Sequence, residues 1–177
     1  KRGYYPKGGG ECEIRFNPRI KLSKYSDFEK FLKGFRGEFP PLIIPDKGEL
    51  LHLKGVSHAS RQYMDEGLAE RMTKAATMTF NEDMRNEYSH TKSPGNGITI
   101  WAIHQNVTVG VDLLGDHFRS PEDAGREAAH RMQEELDSED SVDEHLQDQI
   151  LIFMALLPGS RIRVAELSDH SKSEISV

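Results

Sequence analysis

The sequence predicts an α+β architecture in which small sheets are covered by helix pairs. Three observations carry it: strands and helices follow in mixed order, two β-rich runs are separated by three residues, and two helical segments open on capping signals. The 177 residues, 36% of them hydrophobic, are enough for one ordinary domain or two small ones.

Cys12, Ile14 and Phe16 alternate with Glu11, Glu13 and Arg15, which predicts a strand over residues 11 to 17. Phe28, Phe31, Leu32 and Phe35 fall at helical spacing and allow a short amphipathic helix before Phe39-Pro40-Pro41 interrupts regular structure. Leu50 to Lys54 reads as a strand, and Met64, Leu68, Met72 and Ala75 or Ala76 mark one face of a helix from about residue 60 to 78. Beyond the turn Ser93-Pro94-Gly95-Asn96-Gly97, the runs Ile98 to Ile103 and Val107 to Leu113 predict a hairpin around His104-Gln105-Asn106.

Ser120-Pro121-Glu122-Asp123 supplies an N-cap, a first-turn proline and an acidic third position. Ala124, Ala128, Met132 and Leu136 then share one face, so a helix spans about 121 to 136. Ser141-Val142-Asp143-Glu144 reads as a second capping box, ahead of a helix to Leu157 that Pro158-Gly159 ends. Arg161 to Leu167 predicts a strand, and Ile175 with Val177 another beyond a turn near Ser168-Asp169.

Composition narrows the function. With 29 acidic and 23 basic residues the formal net charge is −6, so nucleic acid is not held by bulk charge and would need a local basic site. A single cysteine, Cys12, builds neither an internal disulfide nor a cysteine zinc site and fits a reducing, intracellular compartment. No apolar run approaches the roughly 20 residues that cross a bilayer, Ile150 to Leu157 being the longest, so no membrane partner is expected. The start at Lys1 and the stop at Val177 read as the limits of a segment cut from a longer protein.

The helix near Val142 holds the most suggestive constellation. His145, Asp148 and Gln149 stand at i, i+3 and i+4 and share a polar face, opposite Leu146, Ile150, Phe153, Met154 and Leu157. Two readings stand side by side: a polar set aimed at a cleft, or a solvated first turn whose carboxylates suit a helix N-terminus. His170, between Asp169 and Ser171, is a nucleophile, a general base or a turn residue. The remaining histidines show no paired ligand spacing, although His104 and His117 bracket the second hairpin strand. Gly8-Gly9-Gly10 reads as a flexible turn, lacking the lysine pattern of a phosphate loop. Beside it Lys1, Arg2, Tyr4, Tyr5 and Lys7 form a basic and aromatic cluster, which suits either nucleic-acid contact or an ordinary strand end.

Taken in order, Arg2-Gly3-Tyr4-Tyr5-Pro6-Lys7-Gly8-Gly9-Gly10-Glu11, Lys54-Gly55-Val56-Ser57-His58-Ala59, Ser93-Pro94-Gly95-Asn96-Gly97 and His145-Leu146-Gln147-Asp148-Gln149 resemble the RNA 3′-terminal phosphate cyclase family. The segment Leu167 to Ile175 is similar to the one that carries that family's catalytic histidine, with Ser171 and Ser173 where threonines are usual. The resemblance implies His170 as nucleophile and His145, Asp148 and Gln149 as ATP contacts. It implies ATP and a divalent metal, magnesium or manganese, as cofactors, and RNA 3′-phosphate ends as partner.

The reaction implied turns a 3′-phosphate into a 2′,3′-cyclic phosphodiester through a histidine-AMP intermediate, in a nuclear setting. The fold implied is a large helix-and-sheet repeat domain resembling enolpyruvyl transferases, comprising residues 1 to 45 and 141 to 177, with a thioredoxin-like α/β domain inserted over 46 to 140. The family's amino-terminal half has no counterpart here, so the isolated segment is expected not to complete the reaction. A non-catalytic cyclase-like factor of ribosome biogenesis is the competing expectation, and a plain α/β interaction domain the third.

Overall fold

The computed structural model describes residues 1–80, 84–116 and 118–176, and they form a mixed α/β protein with two sheets. The chain divides into two compact units, one of residues 1–13 with 48–138 and the other of 14–47 with 139 onward.

The first unit is built on a four-stranded sheet. Strand β2 (Leu50–Ser60) pairs antiparallel with β4 (Asn96–His104), which pairs antiparallel with β5 (Thr108–Leu114) across the expected hairpin. On its other side β2 pairs in parallel with β3 (Met84–Ser89), giving the order β3-β2-β4-β5. A parallel pair needs a crossover, and helix α2 (Leu68–Thr77) lies on it. Along β4, Ile98, Ile100 and Ala102 are buried while Thr99, Trp101 and Ile103 are only partly covered.

The buried face packs against Met72 and Ala76 of α2 and against Ala124, Ala128, Ala129 and Met132 of helix α3 (Pro121–Asp137). The two helices approach closely because Gly125 has no side chain: a Cβ there would lie 2.2 Å from the Met72 carbonyl oxygen and 2.9 Å from the Ala75 methyl. Ser120 caps α3 by accepting from the Asp123 amide at 3.1 Å, as its sequence predicts.

The amino-terminal turn belongs to this unit. The Gly8 amide donates to the Tyr4 carbonyl at 2.8 Å, and Gly8 and Gly9 take positive φ. The Tyr4 ring lies where a Cβ on Gly95 would sit, and its hydroxyl meets His58 Nδ1 at 2.6 Å. Burial, aided by the charge of Arg2, pushes the His58 pKa down to about 4, so the ring is neutral at pH 7. An unfolded histidine protonates near 6.5. Between the two values the unfolded chain binds the extra proton, so this contribution is complete above about pH 6.5 and disappears as pH falls through 4. Urea unfolding followed by Trp101 fluorescence is expected to lose about 2 kcal/mol across that window, solvent screening allowed for. The slope should flatten in His58→Gln; an unchanged slope would mean that another group titrates.

In the second unit, helix α1 (Phe28–Glu38) starts at Asp27, whose carboxylate accepts from the Lys30 amide at 2.9 Å. Its face carries Phe28, Phe31 and Phe35 in a continuous ring stack that Phe39 extends. Strand β1 (Ile43–Ile44) pairs in parallel with β6 (Arg161–Ile162), and helices α4 (Glu144–Leu156) and α5 (Asp169–Ile175) flank β6 in sequence.

Several expectations are corrected. Residues 11–17 form no strand: Ile14 and Phe16 are exposed, and among the described residues no strand lies alongside to pair with them. The helix placed from residue 60 starts at Leu68, because β2 runs through Ser60, a 3₁₀ turn follows, and Gly67 takes a left-handed conformation before the helix begins. Asp143 rather than Ser141 caps α4, accepting from the Leu146 amide at 2.7 Å. Ser141 is committed elsewhere, exchanging hydrogen bonds with the main chain of Arg163.

The strand over 161–167 shrinks to Arg161–Ile162, the only two residues of it that face β1. Around Ile175 the chain is helical, since Ser168 caps α5 by accepting from the Ser171 amide. Val177 lies outside the described residues. The polar stretch after α2 contains β3, whose residues Met84 to Ser89 show no buried alternation.

Candidate active site

The site grows from the meeting of α4 and α5. The i, i+3, i+4 spacing places His145 and Gln149 on the exposed side of α4 and leaves Asp148 half-buried against α5. Asp148 Oδ1 accepts from the Ser168 hydroxyl, in a short hydrogen bond, and from the Ser171 hydroxyl at 2.9 Å. Ser171, fully buried, also donates its amide to Ser168 Oγ at 2.9 Å. One carboxylate therefore grips the chain on both sides of His170, whose own ring is exposed.

A carboxylate that accepts two hydroxyls is stabilised in its charged form. The Ser168 hydroxyl first, then Ser171, hold the Asp148 pKa below the usual range, and electrostatic interaction with His170 and His145 lowers it further. Asp148 is thus an anion at neutral pH within electrostatic reach of both imidazoles. Lys172 on α5 pairs with Glu166 at 3.5 Å and Asp169 at 3.4 Å.

Gln147 is the residue the sequence did not single out. It is buried, and its amide holds the approach to α5 at two points: Nε2 donates to the Glu166 carbonyl at 3.2 Å, and Oε1 accepts from the Ser168 amide at 2.7 Å. A buried carboxamide must find such partners. The one available hint was its place, one turn into the helix beside Asp148.

Alongside lies an open groove of about 790 Å³, lined by Asp148 and Gln149 at one edge, by Leu151, Ile152, Met154 and Ala155 along α4, and by Glu174 and Ile175 of α5. An apolar wall with a few polar groups at the rim suits a flat ring carrying a polar edge. His145 and His170 are not among its lining residues. Of the expected set, Asp148 and Gln149 share the groove, while His170 and His145 lie outside its lining and reach Asp148 only electrostatically.

Among the described residues no three His, Cys, Asp or Glu side chains converge as a metal cage. Nor does any described helix have the length and apolarity to cross a membrane. His104 stands in the other unit, buried at the end of β4 with Nδ1 3.1 Å from the Gly48 carbonyl and Nε2 without a partner among the described residues. His117, its expected companion, lies outside the described residues.

Comparison with known proteins reaches the whole chain. Residues 1–177 match the family model described as RNA 3′-terminal phosphate cyclase. Curated proteins named RNA 3′-terminal phosphate cyclase are similar to it. That of Pyrococcus furiosus is 31% identical over 175 residues, covering 96% of this chain and 45% of the relative. Those of Thermococcus onnurineus and Ignicoccus hospitalis, 33% and 30% identical, cover all of this chain and 48% of their own length. The chain therefore spans about half the length of the curated relatives it matches. With the family model matched from the first residue to the last and such relatives aligned along the same length, the chain belongs to the RNA 3′-terminal phosphate cyclase family.

Proposed function

We propose that this chain supplies the carboxy-terminal, histidine-bearing portion of an ATP-dependent RNA 3′-phosphate cyclase of the nucleus, with residues 46–140 as the inserted, thioredoxin-like domain of an enolpyruvyl-transferase-like fold. The observation that carries the reading is the Asp148 carboxylate bonded to Ser168 and Ser171 on either side of the exposed His170. A neutral imidazole is nucleophilic near pH 7. A ring nitrogen of His170 attacks the α-phosphorus of ATP, a P–N bond forms, and the bond to the bridging oxygen breaks as pyrophosphate leaves with the electron pair. Asp148 acts as a positioning residue and steadies the positive charge that develops on the ring.

An oxygen of the RNA 3′-phosphate then attacks the phosphorus of the adenylate, a P–O bond forms, and the P–N bond breaks with its electron pair returning to the His170 ring. The neighbouring 2′-hydroxyl attacks the phosphorus of that 3′-phosphate, loses its proton and releases AMP, leaving the 2′,3′-cyclic phosphodiester. The groove of α4 and α5 receives the adenosine, its ring on Leu151, Ile152 and Met154 with Gln149 and Asp148 at the rim; His145 contributes from the same helical face. A divalent cation, magnesium or manganese, would screen the phosphate charges. Substrate phosphates are its natural ligands.

The test is covalent labelling of the full-length protein with ATP radiolabelled at the α-phosphate, in the presence of magnesium or manganese. The expected result is an acid-labile protein adduct that is absent from His170→Ala. No adduct from the folded wild type would overturn nucleotidyl transfer and favour a non-catalytic, cyclase-like assembly factor; an adduct that persists in His170→Ala would move the nucleophile elsewhere.

A further inference from the structure

The amino-terminal turn of the sheet unit is over-built for a strand end. Tyr4 anchors it from inside, through its ring against Gly95 and its hydroxyl on His58, while the Lys7 amide donates to the buried Ser93 hydroxyl at 3.0 Å. Arg2 is tied to Glu87 at 2.8 Å, and the Glu11 amide donates to the Lys1 carbonyl at 2.9 Å. What this scaffold holds outward is the ring of Tyr5, 92% exposed. A large aromatic held out on a backbone already ordered by folding is prepared for a partner rather than for the core.

Next to that ring opens a recess of about 340 Å³ lined by Arg2, Gly3, Tyr4, Tyr5, His58 and the exposed Leu114. Its walls are aromatic and apolar, with a guanidinium at the edge and an imidazole that stays uncharged at neutral pH. The exposed side chains of Lys7 and Lys92 flank the turn, Lys92 lying across Gly9, and neither has an ion-pair partner among the described residues. An aromatic face, a small apolar recess and unpaired cations are what a single strand of nucleic acid requires, the ring for a base and the lysines for the phosphates. In a chain of net charge −6 this is the kind of local basic site such binding needs.

We propose that the Tyr4–Gly10 turn is a second contact for single-stranded RNA, in which a base stacks on Tyr5 over the recess and Lys7 and Lys92 take the adjoining phosphates. It rests on RNA being the polymer this chain serves, and it is independent of whether His170 reacts. A free nucleotide shares the chemistry of base and phosphate, so the test separates the two.

Binding of a fluorescent 12-nucleotide RNA ending in a 3′-hydroxyl is followed by anisotropy with the full-length protein, without ATP. Tyr5→Ala is expected to weaken it about tenfold, the worth of one stacked base, and Tyr5→Phe to retain it. Lys7→Ala with Lys92→Ala should weaken it further and make the salt dependence shallower. Melting curves equal to wild type confirm that these exposed positions leave the fold intact. Wild-type levels of binding in Tyr5→Ala and in the lysine pair, or no binding by wild type at all, would overturn the proposal. Displacement of the RNA by free ATP at equal occupancy would assign the recess to a nucleotide instead. Loss of the histidine adduct leaves this readout untouched, so the two proposals fail separately.

Discussion

Asp148→Ala is expected to cut covalent labelling of His170 by about 100-fold, the cost of letting a reacting group stray by an ångström. The substitution removes the acceptor of both the Ser168 and the Ser171 hydroxyl. Helix α5 has only seven residues, far below the length at which a helix holds itself together in water. Without that carboxylate its position depends on Gln147, which reaches Glu166 and Ser168 but not the residues beyond. Asp148→Asn keeps an oxygen that accepts from hydroxyls while removing the charge, so its loss should be smaller. If the two variants label equally poorly, charge rather than placement is what Asp148 supplies. If both label like wild type, α5 is held without it. Labelling at saturating ATP distinguishes either outcome from weakened nucleotide binding.

Gly125→Val is expected to destabilise the sheet unit by about 3 kcal/mol, the upper end of the cost of overpacking. The first added carbon would already stand 2.2 Å from a carbonyl oxygen of α2, and backbone cannot rotate away as a side chain can. The whole α2–α3 contact would have to open, dislodging Met72 and Met132 from the core they share with Ile98 and Ile100. For a unit of about 100 residues such a loss lowers Tm by roughly 12 °C or more, readable by circular dichroism. A Tm within a degree or two of wild type would mean that the helices stand further apart than the geometry here requires.

The places where sequence and structure agree are those where the signal is local. Helix α3 was readable because Ser120, Pro121 and the Ala124–Ala128–Met132 stripe each act within a turn or two. The β4–β5 hairpin was readable because alternation and turn coincide. Residues 11–17 have a good strand pattern and no strand, since alternation becomes structure only beside a partner. Strand β3 is the converse, an edge strand with little burial of its own that β2 recruits.

At the candidate site, helical spacing gave the shared face of Asp148 and Gln149 on α4, while their role and that of His170 came only from the resemblance. Gln147 was not, because its function is defined by main chain arriving from residues 166 and 168. The end of the chain misled for the same reason: Ile175 fits a strand pattern, but the hydroxyl of Ser168 meets the Ser171 amide first.

The pairing of β1 with β6 has a kinetic side. The Arg161 amide donates to the Leu42 carbonyl at 2.7 Å and the Leu42 amide to Ser160 Oγ at 2.9 Å, a closure over 118 residues of sequence. Closing so long a stretch of disordered chain costs entropy that two short strands repay poorly. Once residues 48–138 have condensed into a body of their own, the span left to close is much shorter. Loop entropy therefore favours a sheet unit that forms first from its hairpin and its βαβ crossover, with the β1–β6 pair, and the segment bearing His170 beyond it, joining afterwards.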